Sequence, residues 1–296
     1  MKRPSLYLVD VFAEQKYQGN QLAVIRGGGH FATAQMQKIA REMNFSETAF
    51  IISEREENGG YPVRIFTPAE EIPFAGHPSL GTAYIIQQEI LKQPAERVTL
   101  NLKAGQIPVD FHYRGGEPEL LWMTQLPPTF GAQAFDAEAV SEMLSLEPSD
   151  IDPRAPIQII STGTPFLIVP LKTLEAVKRA RINHKKYFAF VETLPAKAVF
   201  IFAPETYHPG NQLNVRLFAD YYGIAEDPAT GSANGCLACY LAKYRYWGKP
   251  YIDVRVEQGY EIGRPSLLLL KAEDRGDTIL VQVGGKVIPV AKGKLC

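Results

Sequence analysis

The sequence predicts an α+β fold of two similar domains, each a curled mixed sheet around a central helix. The first observation is an internal repeat. Residues 63–86 and 215–238 each open with V-R-[IL]-F, pass through a loop containing Gly and Pro, and enter an apolar helix-like run. The second observation is that residues 19–25 resemble residues 163–169, so the order of elements recurs in both halves. Because ligand sites often form between domains, we expect the site in a cleft between the halves.

Composition narrows the class of protein. The chain has 296 residues, of which 46% are hydrophobic and 21% charged, and its net charge is −1. It is long enough for two domains, and it carries no basic excess that would favour nucleic acid. No apolar run is long enough to span a bilayer, and residues 1–5 lack the apolar region of a signal peptide. We expect a cytoplasmic protein that acts on a small molecule, with neither nucleic acid nor membrane as a partner.

The elements of the first half follow from short apolar runs that turn signals separate. Alternating, β-branched and aromatic residues predict strands, and a 3.6-residue spacing of apolar residues predicts a helix. Pro78 suits the first turn of a second helix, because its missing N–H would be unpaired there. The predicted elements are strands within 6–12, 21–25, 50–52, 63–66, 98–109 and 120–123, and helices at 32–43 and 78–91.

Pro127-Pro128 is the best candidate for a domain boundary. We therefore predict an N-terminal domain at 1–127 and a C-terminal domain at 128–296. The second half repeats the order of the first. It has predicted helices at 137–144, 171–180 and 232–244, strands within 157–169, 198–202 and 213–218, and a meander of strands from 251 to 290.

Two loops before predicted helices carry candidate functional residues. Gly76 permits close approach of a ligand to the backbone, and the free amides of the first helical turn can bind an anion. His77 can transfer a proton or hold a substrate oxygen, and it can equally cap its own helix. In the second loop, Asp227 can cap the helix or act as a catalytic carboxylate, and Ser232 can cap or contact substrate. Two facing helix starts would stabilise a carboxylate ligand and negative charge in a transition state.

Glu47 is the third candidate, because it lies between a helix end and an apolar strand and is flanked by Phe45 and Phe50. A carboxylate in apolar surroundings can serve as general base and acid. The alternative is an exposed loop glutamate. Aligning 50–51 with 200–201 puts Lys197 opposite Glu47, so the acid occurs in only one half.

The cysteines point to packing rather than chemistry. Cys236 and Cys239 form a C-x-x-C within G-C-L-A-C-Y-L-A, which we interpret as a buried helix face. A redox pair needs an exposed first cysteine at a helix start, and zinc needs a second C-x-x-C or a close pair of histidines. Three cysteines, an odd and small number, also argue against a disulfide framework.

Six motifs carry a resemblance to one family. They are, in order, G-N-Q-L-A-V, N-F-S-E-T-A-F, F-A-G-H-P-S-L-G-T-A, S-T-G-T-P-F, E-D-P-A-T-G-S-A-N-G and E-Q-G-Y-E-I-G-R-P-S. Across nearly the whole chain they resemble the PhzF family of phenazine-biosynthesis-like isomerases. The resemblance implies a diaminopimelate epimerase-like fold with the active site between two domains, proton transfer without cofactor or metal, and a homodimer.

The resemblance also implies roles for individual residues. Glu47 matches the acid/base residue that removes a proton from a substrate carbon and returns one elsewhere, and His77 and Asp227 match its polar partners. Many members have Pro at the position of Gln21, which lies outside the acid/base set. Epimerases of this fold carry a cysteine in each half, and the matching loops here have none, so a two-thiol mechanism is not expected. The residues that we expect to contact substrate are Gly76, Gly231, Ser232 and Asn20.

Two other functions stay open at this point. One is a metabolite-binding protein that keeps the fold without turnover, because fold alone does not fix function. The other is a thiol-dependent epimerase that uses Cys236 or Cys239. The presence of Glu47, His77 and Asp227 together favours an isomerase acting on a small metabolite with a carboxylate.

Overall fold

The computed structural model describes residues 3–133 and 135–296. Met1 and Lys2, which belong to the segment examined for a signal peptide, lie outside the described residues. The chain forms two compact units: residues up to Thr124 together with Gly284–Cys296, and Gln125–Val283. Within the described residues, no helix is both long and apolar enough to cross a membrane.

The first unit is a mixed sheet around one central helix. Its strands lie side by side in the order β18-β1-β2-β3-β4-β6-β7-β8, with parallel pairing between β2 and β3 and between β4 and β6. The short strand β5 pairs with the end of β4. The bounds are β1 (Ser5–Val11), β2 (Asn20–Arg26), β3 (Thr48–Ile51), β4 (Tyr61–Phe66), β5 (Glu71–Ile72), β6 (Arg97–Leu102), β7 (Gly105–Arg114), β8 (Glu117–Thr124), β18 (Val287–Lys294), and helices α1 (Thr33–Met43) and α2 (Gly76–Ile86).

Helix α2 is the core of this unit. All of its residues except Tyr84 are buried. It packs against strands from one end of the sheet to the other, namely β18, β1, β2, β3, β6, β7 and β8. Gly81 allows this approach, because a Cβ there would lie 2.6 Å from a methyl carbon of Leu22. The predicted helix at 78–91 thus begins two residues earlier than expected, at Gly76. Its last part, Gln87–Leu91, is a single π-helical turn that follows the α-helix.

The second unit repeats this order. Its strands lie as β9-β10-β11-β12-β13-β15-β16, with parallel pairing between β11 and β12 and between β13 and β15, and β14 pairs with β13. Helix α6 is its buried central helix. The bounds are β9 (Thr129–Phe130), β10 (Gln158–Ser161), β11 (Pro165–Pro170), β12 (Ala198–Ala203), β13 (Leu213–Ala219), β14 (Ile224–Asp227), β15 (Tyr251–Gln258), β16 (Ser266–Asp274), β17 (Ile279–Gly285), α3 (Ala137–Met143), α4 (Leu174–Arg179), α5 (His184–Val191) and α6 (Gly231–Lys243).

Equivalent strand orders around equivalent helices confirm the predicted α+β class and the duplication. The units differ from the predicted domains at the C-terminus. We placed all of 128–296 in the second domain, but β18 pairs with β1 along its whole length. A strand finds its partner through tertiary packing, and the local pattern of β18 does not encode which sheet it joins.

The sheet registers also show which residues of the two halves correspond. One rung crosses β2, β3 and β4, and its counterpart crosses β11, β12 and β13. The rungs are Ala23–Thr48–Phe66 and Leu167–Val199–Phe218. Glu47 stands one residue before Thr48 of the first rung, and Ala198 stands one residue before Val199 of the second, so Glu47 corresponds to Ala198. The predicted correspondence of Glu47 with Lys197 is therefore wrong by one residue, but the acid still occurs in only one half.

Candidate active site

Glu47 lies one residue before β3, where the chain returns from α1. Asn44 ends α1 in a left-handed conformation, with φ of 54°, and its N–H donates to the carbonyl oxygen of Ala40 at 3.1 Å. Asparagine tolerates this conformation better than most residues. Beyond Glu47, the rings of Phe50 and Phe66 meet edge to face with centroids 5.4 Å apart. The backbone is thus fixed on both sides of a side chain that is only 15% exposed.

His77 is the second residue of α2, and its imidazole faces Glu47. Its Nε2 lies 3.4 Å from Oε2 of Glu47. Burial lowers the pKa of His77 from 6.5 to about 3, against the smaller opposing effect of a hydrogen bond to the main chain of Gln21. The distance would suit an ion pair, but a fully buried imidazole with this pKa is neutral at pH 7. The contact therefore joins a neutral ring to a carboxyl group.

The hydrogen bonds of His77 indicate which ring nitrogen carries the proton. Among the described residues Nε2 has no hydrogen-bond partner, so the bond to the Gln21 main chain belongs to Nδ1. This bond raises the pKa, which identifies the ring as its donor. In the neutral ring, Nε2 then presents a lone pair towards Glu47. It can accept a hydrogen bond from the protonated carboxyl group.

The other predicted residues of the first unit lie at the ends of its elements. Gly76 is the buried first residue of α2, where the amides of the first turn have no partner within the helix. Asn20 is buried as the first residue of β2 and pairs with Val11. Gly19 precedes it with a φ of 66°, and a Cβ there would lie 2.3 Å from the carbonyl oxygen of Val11. The structure therefore brings Glu47 and His77 together and holds Asn20 directly after a turn that requires glycine at position 19.

In the second unit, Asp227, Gly231 and Ser232 surround the start of α6. Gly231 and Ser232 are the first two residues of α6, the positions that Gly76 and His77 occupy in α2. Asp227 is the last residue of β14, and only 7% of it is exposed. The hydroxyl of Thr230 donates to Oδ2 of Asp227 rather than capping the helix.

Sequence reasoning missed three residues that hold this loop in place. Gln258 contacts both ends of it, and Gln125 donates to the carbonyl oxygen of Gly231 at 2.9 Å. Thr162 in turn donates to Gln125 at 2.8 Å. Gln258 lies within the quoted motif E-Q-G-Y-E-I-G and Thr162 within S-T-G-T-P-F, and these motifs were the available signals. Amide side chains far apart in sequence give no pattern that identifies their contacts.

The cysteines of α6 have the surroundings of packing residues. Cys236 and Cys239 are free and buried. Burial raises the pKa of the Cys236 thiol to about 12 and that of Cys239 further still. Since the thiolate is the reactive form, these surroundings oppose the thiol-dependent alternative.

A cavity of about 300 Å³ opens in the first unit, away from Glu47 and His77. Its charged lining residues are Lys103 and the pair Arg64 and Glu71, whose side chains lie 2.6 Å apart. Neither Glu47 nor His77 lines this cavity, so the candidate site is defined by the contact between these two side chains. Among residues 3–133 and 135–296, no cluster of three or more His, Cys, Asp or Glu side chains is arranged to hold a metal ion.

Comparison with known proteins identifies the family of the chain. The sequence profile of the PhzC-PhzF family, described as phenazine biosynthesis-like proteins, matches residues 9–293. The chain belongs to this family. A trans-2,3-dihydro-3-hydroxyanthranilate isomerase of Pseudomonas fluorescens is 35% identical over 292 residues, which cover 97% of this chain and 98% of the relative.

Solved structures extend the comparison to the fold. A PhzF-family phenazine biosynthesis protein of Bacillus anthracis has a TM-score of 0.89 at 27% identity, with all of both chains covered. A hydroxyproline epimerase of Agrobacterium vitis has a TM-score of 0.64 at 13% identity, covering 99% of this chain and 91% of its own, which shows the fold alone. The predicted epimerase-like fold is confirmed, and the chain is a PhzF-like isomerase.

Proposed function

We propose that this PhzF-family protein isomerises a small carboxylate-bearing metabolite by general acid–base proton transfer, without a cofactor. The observation that carries the proposal is the contact of Glu47 Oε2 with Nε2 of a neutral, buried His77 at 3.4 Å. A carboxylate largely removed from water is suited to take a proton from carbon and to return one.

The neutral state of His77 gives it a specific part in the proposed reaction. Glu47 removes the substrate proton, and Nε2 of His77 can then accept a hydrogen bond from the protonated carboxyl group. An imidazolium at this position would have no lone pair to offer. In this pair Glu47 meets the substrate and carries the proton, and His77, whose pKa is lowered to about 3, stays neutral and positions the carboxyl group.

The helix starts supply the complementary charge. Helices α2 and α6 have 11 and 13 residues, so each has several aligned peptide dipoles behind its first turn. We assign the amides at Gly76 and His77, and those at Gly231 and Ser232, to the substrate carboxylate and to the anion that forms when the proton leaves. Asp227 and Asn20 are assigned to its polar groups.

Deuterium uptake tests the proposal. The protein is incubated in heavy water with trans-2,3-dihydro-3-hydroxyanthranilate, the compound in the name of the Pseudomonas fluorescens relative, and separately with a metabolite extract. We expect deuterium at a carbon position and a loss of about 10²-fold or more in rate for Glu47→Gln. Glu42→Gln, an exposed change in the last turn of α1, is the matched control.

The possible outcomes separate the alternatives. Full turnover by Glu47→Gln would rule Glu47 out as the base. A compound that binds without exchange, in the native protein as in the variant, would instead favour a metabolite-binding protein. Exchange that iodoacetamide abolishes would favour a cysteine.

A further inference from the structure

The loop that carries Asp227 is held by a fully buried glutamine. Gln258, at the end of β15, is 0% exposed. Its Oε1 accepts the N–H of Thr230 and the Nδ2 of Asn234, each at 3.0 Å. Its Nε2 donates to the carbonyl oxygen of Asp227 at 2.9 Å and to Oγ1 of Thr230 at 3.1 Å.

Only one orientation of the Gln258 amide fits these neighbours. The Thr230 N–H can only donate, and the Asp227 carbonyl can only accept. If the amide were turned over, its NH2 group would face the N–H of Thr230, donor against donor. Its oxygen would face the carbonyl oxygen of Asp227, acceptor against acceptor. The orientation seen is therefore fixed by the main chain on both sides.

A fixed amide sets the direction of the next hydrogen bond. Because Nε2 of Gln258 donates to Oγ1 of Thr230, the threonine hydroxyl is an acceptor on that side. Its single proton is then directed to Oδ2 of Asp227. Oδ2 of Asp227 is thus the acceptor of the threonine proton, and this bond favours Oδ1 as the oxygen that carries a proton when the carboxyl group is protonated.

We propose that Thr230, oriented by Gln258, is a positioning residue that keeps Oδ2 of Asp227 as an acceptor, so that Asp227 exchanges protons only through Oδ1. This inference rests on the proposed function, in which Asp227 is a polar partner of the reaction. The hydroxyl stabilises the ionised carboxylate and stops the side chain from presenting either oxygen at random.

The packing around Gln258 indicates that the loop from Asp227 to Thr230 is held rigidly. Gly259 follows with a φ of 78°, and a Cβ there would lie 2.6 Å from the carbonyl oxygen of Pro228. The hydroxyl of Ser266 donates to that same carbonyl oxygen at 2.9 Å. The turn from Asp227 to Thr230 is thus held at its main chain from β15 and β16.

Charged groups on the flanking strands are engaged with one another. Arg216 on β13 pairs with Glu226 on β14 at 2.7 Å, and Glu261 receives the hydroxyl of Tyr207 at 2.9 Å. Glu257 accepts main-chain N–H groups and asparagine amides. A change at Thr230 leaves these charges in place, so its effect on Asp227 is read against a constant background.

Carbon-13 NMR of aspartate carboxyl groups tests the inference without any substrate. The signal of Asp227 is assigned by its absence in Asp227→Asn, and its titration is followed in the full chain. Removing a hydrogen bond to the ionised form raises the titration midpoint, so we expect Thr230→Val to raise it by about one pH unit. Thr230→Ser keeps the hydroxyl and is expected to restore the native midpoint.

The controls keep the test decisive. Thr173→Val removes the hydroxyl that caps α4, and we expect it to leave the Asp227 midpoint unchanged. Thr230→Ala removes the same hydroxyl with less bulk and serves if the valine variant does not fold. A native midpoint in Thr230→Val or Thr230→Ala overturns the inference. Failure of the proposed function shows separately, as turnover in Glu47→Gln.

Discussion

Burial of the His77 imidazole makes the stability of the first unit depend on pH. The pKa of His77 is about 3 in the folded chain and 6.5 in an unfolded one. Below pH 6.5 the unfolded state binds a proton that the folded state does not, so folding becomes less favourable as pH falls from 6.5 to 3. The cost rises by about 1.4 kcal/mol at most for each pH unit in this window, and it vanishes above 6.5.

We therefore expect His77→Gln to lose this part of the acid sensitivity. The chain has two tryptophans, and Trp122 lies in the first unit. In a Trp247→Phe background its fluorescence therefore reports that unit alone. Urea unfolding followed by its fluorescence at pH 8, 6 and 5 gives the slope. His112→Gln, at an exposed site on β7, is the matched control. An unchanged slope in His77→Gln would contradict the assignment of a neutral, buried ring.

The cysteines give a second prediction about single residues. Cys296 is exposed, whereas Cys236 and Cys239 are buried and burial raises both pKa values. Iodoacetamide on the native protein should therefore label Cys296 alone, and mass spectrometry of peptides would locate the label. Cys296→Ser should take up none. Rapid labelling of Cys236 in the folded chain would revive the thiol-dependent epimerase.

At this scale the sequence identifies residue types better than contacts. Glu47 and His77 could be selected because each stands in a recognisable motif, but their 3.4 Å contact depends on how α2 packs against β3. The match of Glu47 to Lys197 failed because two identical residues, 50–51 and 200–201, suggested a register that the sheets do not have. No role could be assigned to Gln258 from the sequence, since its hydrogen-bond partners, Asp227, Thr230 and Asn234, are distant from it along the chain.

Among the elements, α6 depends on a glycine for its support. A Cβ at Gly235 would lie 1.9 Å from Oε1 of Gln125, the residue that donates to the carbonyl oxygen of Gly231. We expect Gly235→Ala to displace Gln125 and to lower the free energy of unfolding by about 1–3 kcal/mol. Urea unfolding measures this. Gly210→Ala, which meets nothing within 4 Å, is the matched control, and equal stability of both variants would contradict the account.

The elements that could be predicted are those whose pattern is local. Helices α2 and α6 follow from apolar runs behind Gly and Pro, and their strands follow from the repeated V-R-[IL]-F. Helix α5 was missed because only Tyr187 and Val191 of its residues are buried, while Phe188 is 45% exposed, so its apolar residues show no single face. The predicted strand region 98–109 contains a turn before Gly105, whose φ is 124°, and is two strands.

In the molecule as a whole, β18 is the element whose place the sequence did not reveal. The repeat predicted the order of the central strands because each half encodes that order locally. The partner of β18 is β1, at the other end of the chain, and no spacing rule connects them. The compact units divide after Thr124, three residues before Pro127-Pro128, and the C-terminal strand belongs to the first of them.

Deletion of residues 287–294 tests this assignment. We expect the first unit to lose its cooperative unfolding transition, because β1 is left as an unpaired edge. Trp122 fluorescence reports that transition, and Trp247 reports the second unit. Removal of the exposed Cys296 alone is the control and should change neither signal. A normal Trp122 transition after the deletion would show that β18 is dispensable.

The pairing of β18 with β1 has a consequence for synthesis on the ribosome. Domains usually fold as they emerge, with the N-terminal one first. Here the first sheet lacks an edge strand until residues 287–294 have been translated, whereas residues 125–283 leave the ribosome before β18 does. The unit formed by residues 125–283 can therefore be completed first, and β1 stays an unpaired edge of the nascent first unit until β18 arrives.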